Sequence, residues 1–267
     1  MTVVKTRAIL FRAHAYSETS QVLRFYTEAL GLVGVMARGS RRQASKGRGA
    51  VDTFGEGMAV IVHRPNRDLQ TLREFSPQST RLGLGKDLSR LAGASVLAEL
   101  VLRHAGEEPH AELFRTLSVG LDRLADVEAP SLQVELLSQA WAVVQLLGFG
   151  PVLDICTQCG RQLAEDEMGT FDLASGGVRC AACPSGDRPR RLGPVARKQL
   201  SDLLSGEPVP DLRKPQAHVS LLDDFATYHM LGGRRLQSFQ FLSAVPLQTT
   251  DPANPANGSG GAALAES

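Results

Sequence analysis

The sequence predicts an α+β protein with several domains: a small five-stranded β-barrel at the N-terminus, then a helical bundle that carries an inserted four-cysteine module. Three observations lead to this prediction. Short apolar segments separated by turn residues fill residues 3–75, an apolar period of 3.6 residues begins near residue 86, and all four cysteines lie in one short window. The chain of 267 residues, 43% hydrophobic and 21% charged, is long enough for this division.

The N-terminal segment, assigned to residues 1–80, contains five candidate strands. No helical period of useful length interrupts them, so a small barrel or sandwich is favoured over a parallel α/β sheet. Five strands in such a short segment are typical of an OB-type barrel, although periodicity alone does not distinguish it from an SH3-like barrel. The predicted strands are residues 3–11, 21–26, 31–37, 54–63 and 69–75.

The helical pattern predicts a domain made of two segments, residues 81–151 and 188–247. Three helices are expected in the first segment, because Gly and Pro residues break the apolar period near residues 106–109, 130 and 148–151. Two more are expected at residues 194–204 and 215–231, each beginning with a proline. Residues 248–267 have no apolar period and are predicted to be a disordered tail.

Charge is distributed unevenly although the formal net charge is only +1. Residues 1–80 carry 12 basic and 6 acidic side chains, whereas residues 81–155 carry 6 and 10. A basic N-terminal domain suggests a polyanionic partner, with an ordinary solvated surface as the alternative. We expect a cytoplasmic protein, because the sequence has neither an apolar run of about 20 residues nor the layout of a secretory signal.

The cysteines form two Cys-x2-Cys motifs, Cys156/Cys159 and Cys180/Cys183. Two such turns can bring four thiolates around one tetrahedral Zn²⁺, so we predict a closed, structural zinc site in a module spanning residues 152–187. A pair of redox motifs or disulfides is the alternative. Four thiolates and one Zn²⁺ leave a charge of −2, which nearby arginines could screen; the candidates are Arg161, Arg179, Arg188, Arg190 and Arg191.

A cationic loop between the third and fourth strands is the main candidate for contact with a polyanion such as a nucleic acid. It contains five positive charges, no acidic residue and three glycines, a composition suited to phosphate contact without base preference; its cations are Arg38, Arg41, Arg42, Lys46 and Arg48. Arg24 on the second strand and Arg12 at the end of the first could extend the track. Tyr26 shares a face with Arg24 by alternation, but a core position is favoured over a base-stacking role.

No catalytic motif is visible: the sequence lacks a P-loop, a Gly-rich dinucleotide fingerprint, a Gly-x-Ser-x-Gly elbow and a His-Glu-x-x-His motif. Catalysis therefore has no visible machinery, and the leading interpretation is a non-enzymatic protein that binds a polyanion. The alternatives are a zinc-ribbon regulator that recognises duplex sequence, a thiol redox enzyme and a protein-interaction adaptor with an incidental basic loop. Asp223 and Asp224 are interpreted as part of a solvated helix face.

Taken in order, the motifs resemble the RecO family of bacterial recombination mediators up to about residue 245. The resemblance rests on residues 8–12, 16–18, 37–42, 147–151 leading into Cys156, 171–183 and 233–238. It implies an N-terminal OB domain, a helical body and a zinc module inserted between its helices. It also implies binding of single- and double-stranded DNA and annealing of complementary strands, without ATP.

The partners implied by the resemblance are RecR, the acidic C-terminal tail of the single-strand-binding protein SSB, RecF as a further candidate, and RecA, which is loaded onto SSB-coated DNA. The SSB tail is expected to dock on the helical body, where Arg103, Arg115 and Arg123 are the candidate contacts. Such a protein is expected to associate with the nucleoid.

Overall fold

The N-terminal strands form a closed barrel in the computed structural model, which describes residues 1–38, 52–183 and 190–244. The strand order is β1-β2-β3-β5-β4, with β3 and β5 parallel and the remaining neighbours antiparallel. This Greek-key arrangement of five strands is that of an OB-type barrel, as predicted. The strands are β1 (Thr2–Ala15), β2 (Gln21–Thr27), β3 (Gly31–Ala37), β4 (Glu56–His63) and β5 (Leu69–Ser79).

The predicted strand positions are confirmed, with shifts at their ends. β1 continues to Ala15 because its second half pairs with β2 after its first half has paired with β4. β4 begins two residues later than predicted. Phe54 has a φ of 68°, a left-handed conformation that a strand cannot contain, and its backbone N–H donates to the Leu10 carbonyl oxygen at 2.7 Å.

Both faces of the barrel wall are buried where it meets the helices. Alternation along β1 places Ala8 and Leu10 inside the barrel, while Ile9 and Phe11 belong to the core shared with the helical body. Tyr26 packs in that shared core: it is 1% exposed, and its ring centroid lies 6.2 Å from that of Phe11 and 6.3 Å from that of Phe114. The preference for a core Tyr26 is confirmed.

The helical body follows the barrel, and the predicted helix positions are confirmed. Proline begins α4 and α5, and α4 ends at Gly206 with a φ of 73°, a conformation that favours glycine. A short last helix was not predicted. The helices are α1 (Leu88–His104), α2 (Ala111–Asp126), α3 (Leu132–Leu146), α4 (Pro194–Ser205), α5 (Pro215–His229) and α6 (Gln237–Ala244), with 3-10 turns at Leu82–Gly85 and Ala129–Ser131.

A small antiparallel sheet lies between α3 and α4 in the sequence, in the order β7-β6-β8. Its strands are β6 (Gly169–Asp172), β7 (Gly177–Cys180) and β8 (Arg190–Leu192). The β6–β7 pair is the hairpin between the two Cys-x2-Cys motifs. β8 follows the 152–187 segment and still pairs with β6, so the sheet joins the cysteine module to the start of α4.

A buried ionic network fastens the barrel to the helical body. The Arg81 side chain is 1% exposed and donates to Glu56 Oε2 of β4 and to Asp122 Oδ1 of α2, at 2.7 Å in each case. It also donates to the Phe54 carbonyl oxygen at 2.8 Å. Arg7 of β1 donates to the other Glu56 oxygen at 2.6 Å. The network around Glu56 and Arg81 therefore ties two strands and a helix together.

The interpretation of Asp223 and Asp224 as a solvated face was wrong. Asp223 is 7% exposed, and Arg235 donates to its Oδ2 at 2.8 Å and to Asp224 Oδ1 at 3.1 Å. Arg190 of β8 also pairs with Asp224. These ion pairs connect α5 to the small sheet and to the segment before α6, contacts that a helical period cannot reveal. No helix among the described residues is long and apolar enough to cross a bilayer.

Candidate metal centre and nucleic-acid interface

The four cysteine side chains meet at one point beside the small sheet. Their Sγ atoms all lie within 4.8 Å of one another, and Cys159 Sγ is 3.9 Å from Cys180 Sγ. Four sulfurs around a tetrahedral Zn²⁺ at about 2.3 Å are about 3.8 Å apart, so the arrangement fits this ion. All four cysteines are free, and the 3.9 Å separation is well beyond the S–S bond length of about 2.05 Å.

Each Cys-x2-Cys turn is closed by backbone hydrogen bonds. The Gly160 N–H donates to the Cys156 carbonyl oxygen at 2.9 Å, and the φ of 71° at Gly160 explains why glycine follows this turn. In the second turn the Cys183 N–H donates to the Cys180 carbonyl oxygen at 3.1 Å. The turns hold the sulfurs on one side, which is the arrangement that a shared metal ion requires.

The environment of Cys156 favours the thiolate, the form that binds metal. Burial alone opposes ionisation of this side chain. Backbone N–H groups of Cys180, Cys159 and Gln158 outweigh burial and lower the pKa of Cys156 to about 6. The Cys180 N–H lies 3.3 Å from Cys156 Sγ. Backbone donors therefore support the thiolate form at Cys156, and a set of four cysteine sulfurs suits a zinc ion.

Of the five arginines predicted to screen the cluster, Arg161 meets it directly. Its guanidinium donates to Cys180, which lowers the pKa of that thiol, and it also pairs with Glu167. Arg179 pairs with Asp172 and Arg190 with Asp224. Arg188 lies outside the described residues. Arg161 therefore contributes positive charge where the thiolates accumulate negative charge.

The cysteine module packs closely against the helical body. Phe171 and Val178 of its hairpin are 3% and 0% exposed, and the Phe171 ring centroid lies 6.3 Å from that of Phe225 on α5. His229 Nε2 forms a hydrogen bond of 2.7 Å with the Leu173 carbonyl oxygen, and Arg197 donates to the Glu165 carbonyl oxygen at 3.0 Å. Loss of order in the module would therefore disturb α4 and α5.

The two arginines predicted on the barrel strands lie side by side at its rim. Arg12 and Arg24 are directly opposite each other in the β1–β2 pairing, immediately after an irregularity between Leu10 and Arg12. The irregularity, with the features of a β-bulge, shifts the register at the point where β1 changes from buried to exposed residues. Arg12 is exposed and Arg24 half-buried. Both line a cavity of about 410 Å³ between the barrel and α1.

The other predicted DNA contacts belong to the β3–β4 loop. Arg38 is exposed at the end of β3. Arg41, Arg42, Lys46 and Arg48 lie outside the described residues, so their assignment stays a sequence-based prediction. β3 ends beside Gln21, which in turn pairs with Ala15. Arg38 therefore starts the loop at the same end of the barrel that carries Arg12 and Arg24.

The three arginines predicted as docking contacts on the helical body lie on two different helices. Arg115 and Arg123 are exposed on α2, where Arg123 Nη1 lies 3.6 Å from Glu135 Oε1. Arg103 is on the last turn of α1 and lines the same cavity as Arg12 and Arg24. Sequence reasoning missed this juxtaposition, because it depends on how α1 packs against the barrel and not on spacing.

Two family models match the chain in the order expected for one protein. The model described as Recombination protein O N terminal matches residues 1–81, and that described as Recombination protein O C terminal matches residues 85–205. The first match covers the barrel. The second covers the helical body through α4, including the four cysteines.

Curated relatives align along most of their length. The DNA repair protein RecO of Anaeromyxobacter sp. (strain K) is 31% identical over 256 residues, covering 92% of this chain and 98% of the relative. That of Salinibacter ruber is 31% identical over 201 residues, covering 73% and 74% respectively. That of Exiguobacterium sp. is 33% identical over 184 residues, covering 67% and 70%. With both family models matched in order, these alignments establish that the chain belongs to the RecO family.

Proposed function

We propose that this chain is a DNA repair and recombination mediator that binds single- and double-stranded DNA, anneals complementary strands and, with RecR, helps load RecA onto SSB-coated single strands. The observation that carries the proposal is the arginine pair Arg12 and Arg24 at the open rim of an OB-type barrel, in a chain of the RecO family. OB-type barrels commonly bind oligonucleotides on this part of their surface.

Charge neutralisation is sufficient to explain annealing. When cationic side chains neutralise phosphates on two strands at once, the repulsion between the strands falls and their local concentration rises. Base pairing then proceeds without any sequence recognition by the protein. The basic excess of residues 1–80 supplies the required charge, and Arg38 places the start of the cationic loop at the rim.

The loop contribution predicts a change in salt dependence. Replacing Arg38, Arg41, Arg42, Lys46 and Arg48 with alanine should weaken DNA affinity and flatten the plot of log affinity against log salt concentration. Each lost phosphate contact should reduce the slope by about 0.7 for single strands and about 0.9 for duplexes. The measurement is oligonucleotide binding at graded salt; an unchanged slope would exclude the loop as a DNA contact.

Annealing itself is tested on SSB-coated complementary strands, with and without RecR. We expect the chain to accelerate duplex formation over the spontaneous reaction and RecR to modify the rate. Fluorescence quenching between labels on the two strands follows the reaction. Binding without acceleration would separate DNA association from mediator activity and would refute the annealing role. If RecR leaves the rate and the bound complex unchanged, RecR is not the partner.

The cysteine centre is proposed to hold one structural Zn²⁺ and to take no part in chemistry. Cys156, Cys159, Cys180 and Cys183 would supply four thiolate ligands, leaving no open position for water. A bound zinc ion would cross-link the two turns. Cys156 and Cys180 are buried, and Cys180 is the last residue of β7, so the centre is part of the scaffold. We therefore propose that the protein is not an enzyme. We also propose that it associates with the nucleoid, as expected for a DNA-binding protein.

The SSB tail is proposed to dock on α2 through Arg115 and Arg123. Both are exposed, and the ion pair of Arg123 with Glu135 is long at 3.6 Å, so an acidic peptide could replace it at small cost. RecF is retained as a further candidate partner.

A further inference from the structure

We propose that a single nucleic-acid strand passes through the cleft between the barrel and α1, with its phosphates held jointly by Arg12 and Arg24 of the barrel and Arg103 of the helical body. This inference rests on the proposed DNA-binding function and assigns Arg103 to DNA instead of to the SSB tail. All three arginines line one cavity of about 410 Å³, together with His14, Val22, Glu99 and Leu102.

The barrel arginines are available for an external anion. Across residues 1–38, 52–183 and 190–244, no carboxylate lies within ion-pair distance of Arg12 or Arg24. Arg12 and Arg24 are partners in the β1–β2 register, so two cationic side chains start from opposite positions, an arrangement that is electrostatically unfavourable until an anion neutralises it. Phosphate oxygens are the natural ligands for guanidinium forks of this kind.

Glu99 is the acidic residue of the cleft, and its carboxylate is largely engaged elsewhere. Glu99 Oε2 accepts from the Ser238 N–H at 3.1 Å and from Ser238 Oγ at 2.8 Å, both at the start of α6. The positive end of a helix dipole therefore stabilises this charge. Arg103 Nη2 lies 3.4 Å from Glu99 Oε1, and the Arg103 side chain is 40% exposed. Arg103 is therefore accessible to a bound phosphate.

The shape of the cleft favours one strand over a duplex. A cavity of about 410 Å³ is in the size range of a small-ligand pocket, and it lies between a barrel wall and a helix. A flexible single strand can enter such a space, whereas both backbones of a duplex would have to remain outside. A second cavity of about 420 Å³ shares Arg12, Glu99 and Leu102 with the first and extends it to α6.

Phe241 supplies an aromatic surface at the far end of this extended cleft. It lines the second cavity and is 66% exposed, so its ring is accessible to a base. Base-on-aromatic stacking is tolerant of sequence and accompanies phosphate contact in many single-strand sites. The proposed track therefore runs from Arg24 and Arg103 past Arg12 to Phe241.

The test compares Arg103→Gln with Lys198→Gln in the full-length chain. Lys198 is a matched control, because it is also an exposed helix cation in an i,i+4 ion pair, with Asp202 on α4. Labelled oligo-dT and a labelled duplex of the same length are titrated at graded KCl concentrations. We expect Arg103→Gln to lower the single-strand salt slope by about 0.7 and to leave the duplex slope unchanged. Lys198→Gln should change neither slope.

Three further variants complete the design. Arg103→Lys should restore the slope, since phosphate neutralisation requires the charge. Arg12→Gln should lower the slope as Arg103→Gln does. Phe241→Ala should weaken single-strand binding several-fold with an unchanged slope, because stacking releases no counterions. If Arg103→Gln leaves the single-strand salt slope unchanged, as Lys198→Gln does, while Arg12→Gln lowers it, then Arg103 does not contact DNA. In that case the cleft proposal fails and the proposed DNA binding by the barrel is retained. If the wild-type chain binds neither oligonucleotide in dilute salt, the proposed function itself fails.

Discussion

Cys159→Ser is expected to release the bound metal and to destabilise the protein by more than about 4 kcal/mol. The Cys159 side chain is exposed, so the substitution removes little packing and its effect reports on the metal. Apparent zinc-binding free energies of about 10–16 kcal/mol are comparable with the whole stability of a domain, so losing one of four ligands should be severe. Metal content by mass spectrometry and thermal unfolding by circular dichroism are the measurements.

The location of the damage is also predicted. Amide hydrogen exchange should accelerate first in β6 and β7 and then in α4 and α5, because Phe171 packs against Phe225 and Arg197 donates to the backbone at Glu165. Gln158→Ala is the matched control: Gln158 is exposed in the same turn, and only its backbone N–H supports Cys156. That variant should keep its metal. Normal metal content in Cys159→Ser would refute the ligand assignment.

Local spacing explains which parts of the molecule were predictable from sequence. Alternating apolar residues such as Leu23 and Phe25 indicated β2 without tertiary information, because a strand that buries one face repeats every two residues. The cysteine cluster was predictable for a similar reason, since a Cys-x2-Cys turn fixes the position of its own two sulfurs. In both cases the geometry is determined within a few residues.

Features that depend on packing between distant segments were not predictable in this way. The helical body covers Ile9 and Tyr26 on the outside of the barrel, so both faces of β1 and β2 are buried there. Apolar residues then no longer alternate with polar ones, and the sequence does not show which face lies inside the barrel. Arg103 joins Arg12 only because α1 packs beside the barrel, which places both residues in the lining of one cavity. α6 has only eight residues, and it docks through a hydrogen bond between Ser238 and Glu99, two residues that are 139 positions apart in the sequence.

Arg81 is the position where such a distant contact should matter most for stability. Its guanidinium is 1% exposed and donates to Glu56, Asp122 and two backbone carbonyl oxygens. Arg81 also has a φ of 50°, a left-handed conformation that is rare for a residue with a side chain. The network therefore holds the linker between barrel and helical body in a strained backbone conformation.

Arg81→Met is expected to destabilise the protein by about 3–5 kcal/mol at neutral pH, because it leaves the buried Glu56 carboxylate without its main counter-charge. Arg7→Met is the matched control. Arg7 contacts the same carboxylate, but its side chain is 41% exposed, so its loss should cost about 1 kcal/mol or less. Urea unfolding of both variants measures the difference. Equal losses would show that burial of Arg81 contributes nothing beyond a surface ion pair.

The pH dependence of unfolding should identify Glu56 as the group that destabilises Arg81→Met. Burial favours its neutral form, but hydrogen bonds from Ser118, Arg81 and Arg7 outweigh burial and lower the pKa of Glu56 below its usual 4.5. A lowered pKa in the folded state stabilises the wild type above about pH 4.5 and ceases to do so as the carboxylate protonates at lower pH. In Arg81→Met the pKa of Glu56 rises, because only Arg7 and Ser118 still contact the carboxylate. Protonation then relieves a charge that is only partly compensated, and the stability gap should narrow on acidification. Adding Glu56→Gln to Arg81→Met should recover part of the loss at neutral pH, because a partly compensated neutral amide is less costly to bury than a partly compensated carboxylate. A gap that stays constant down to pH 3 would locate the effect in the backbone at Arg81 and not in its charge.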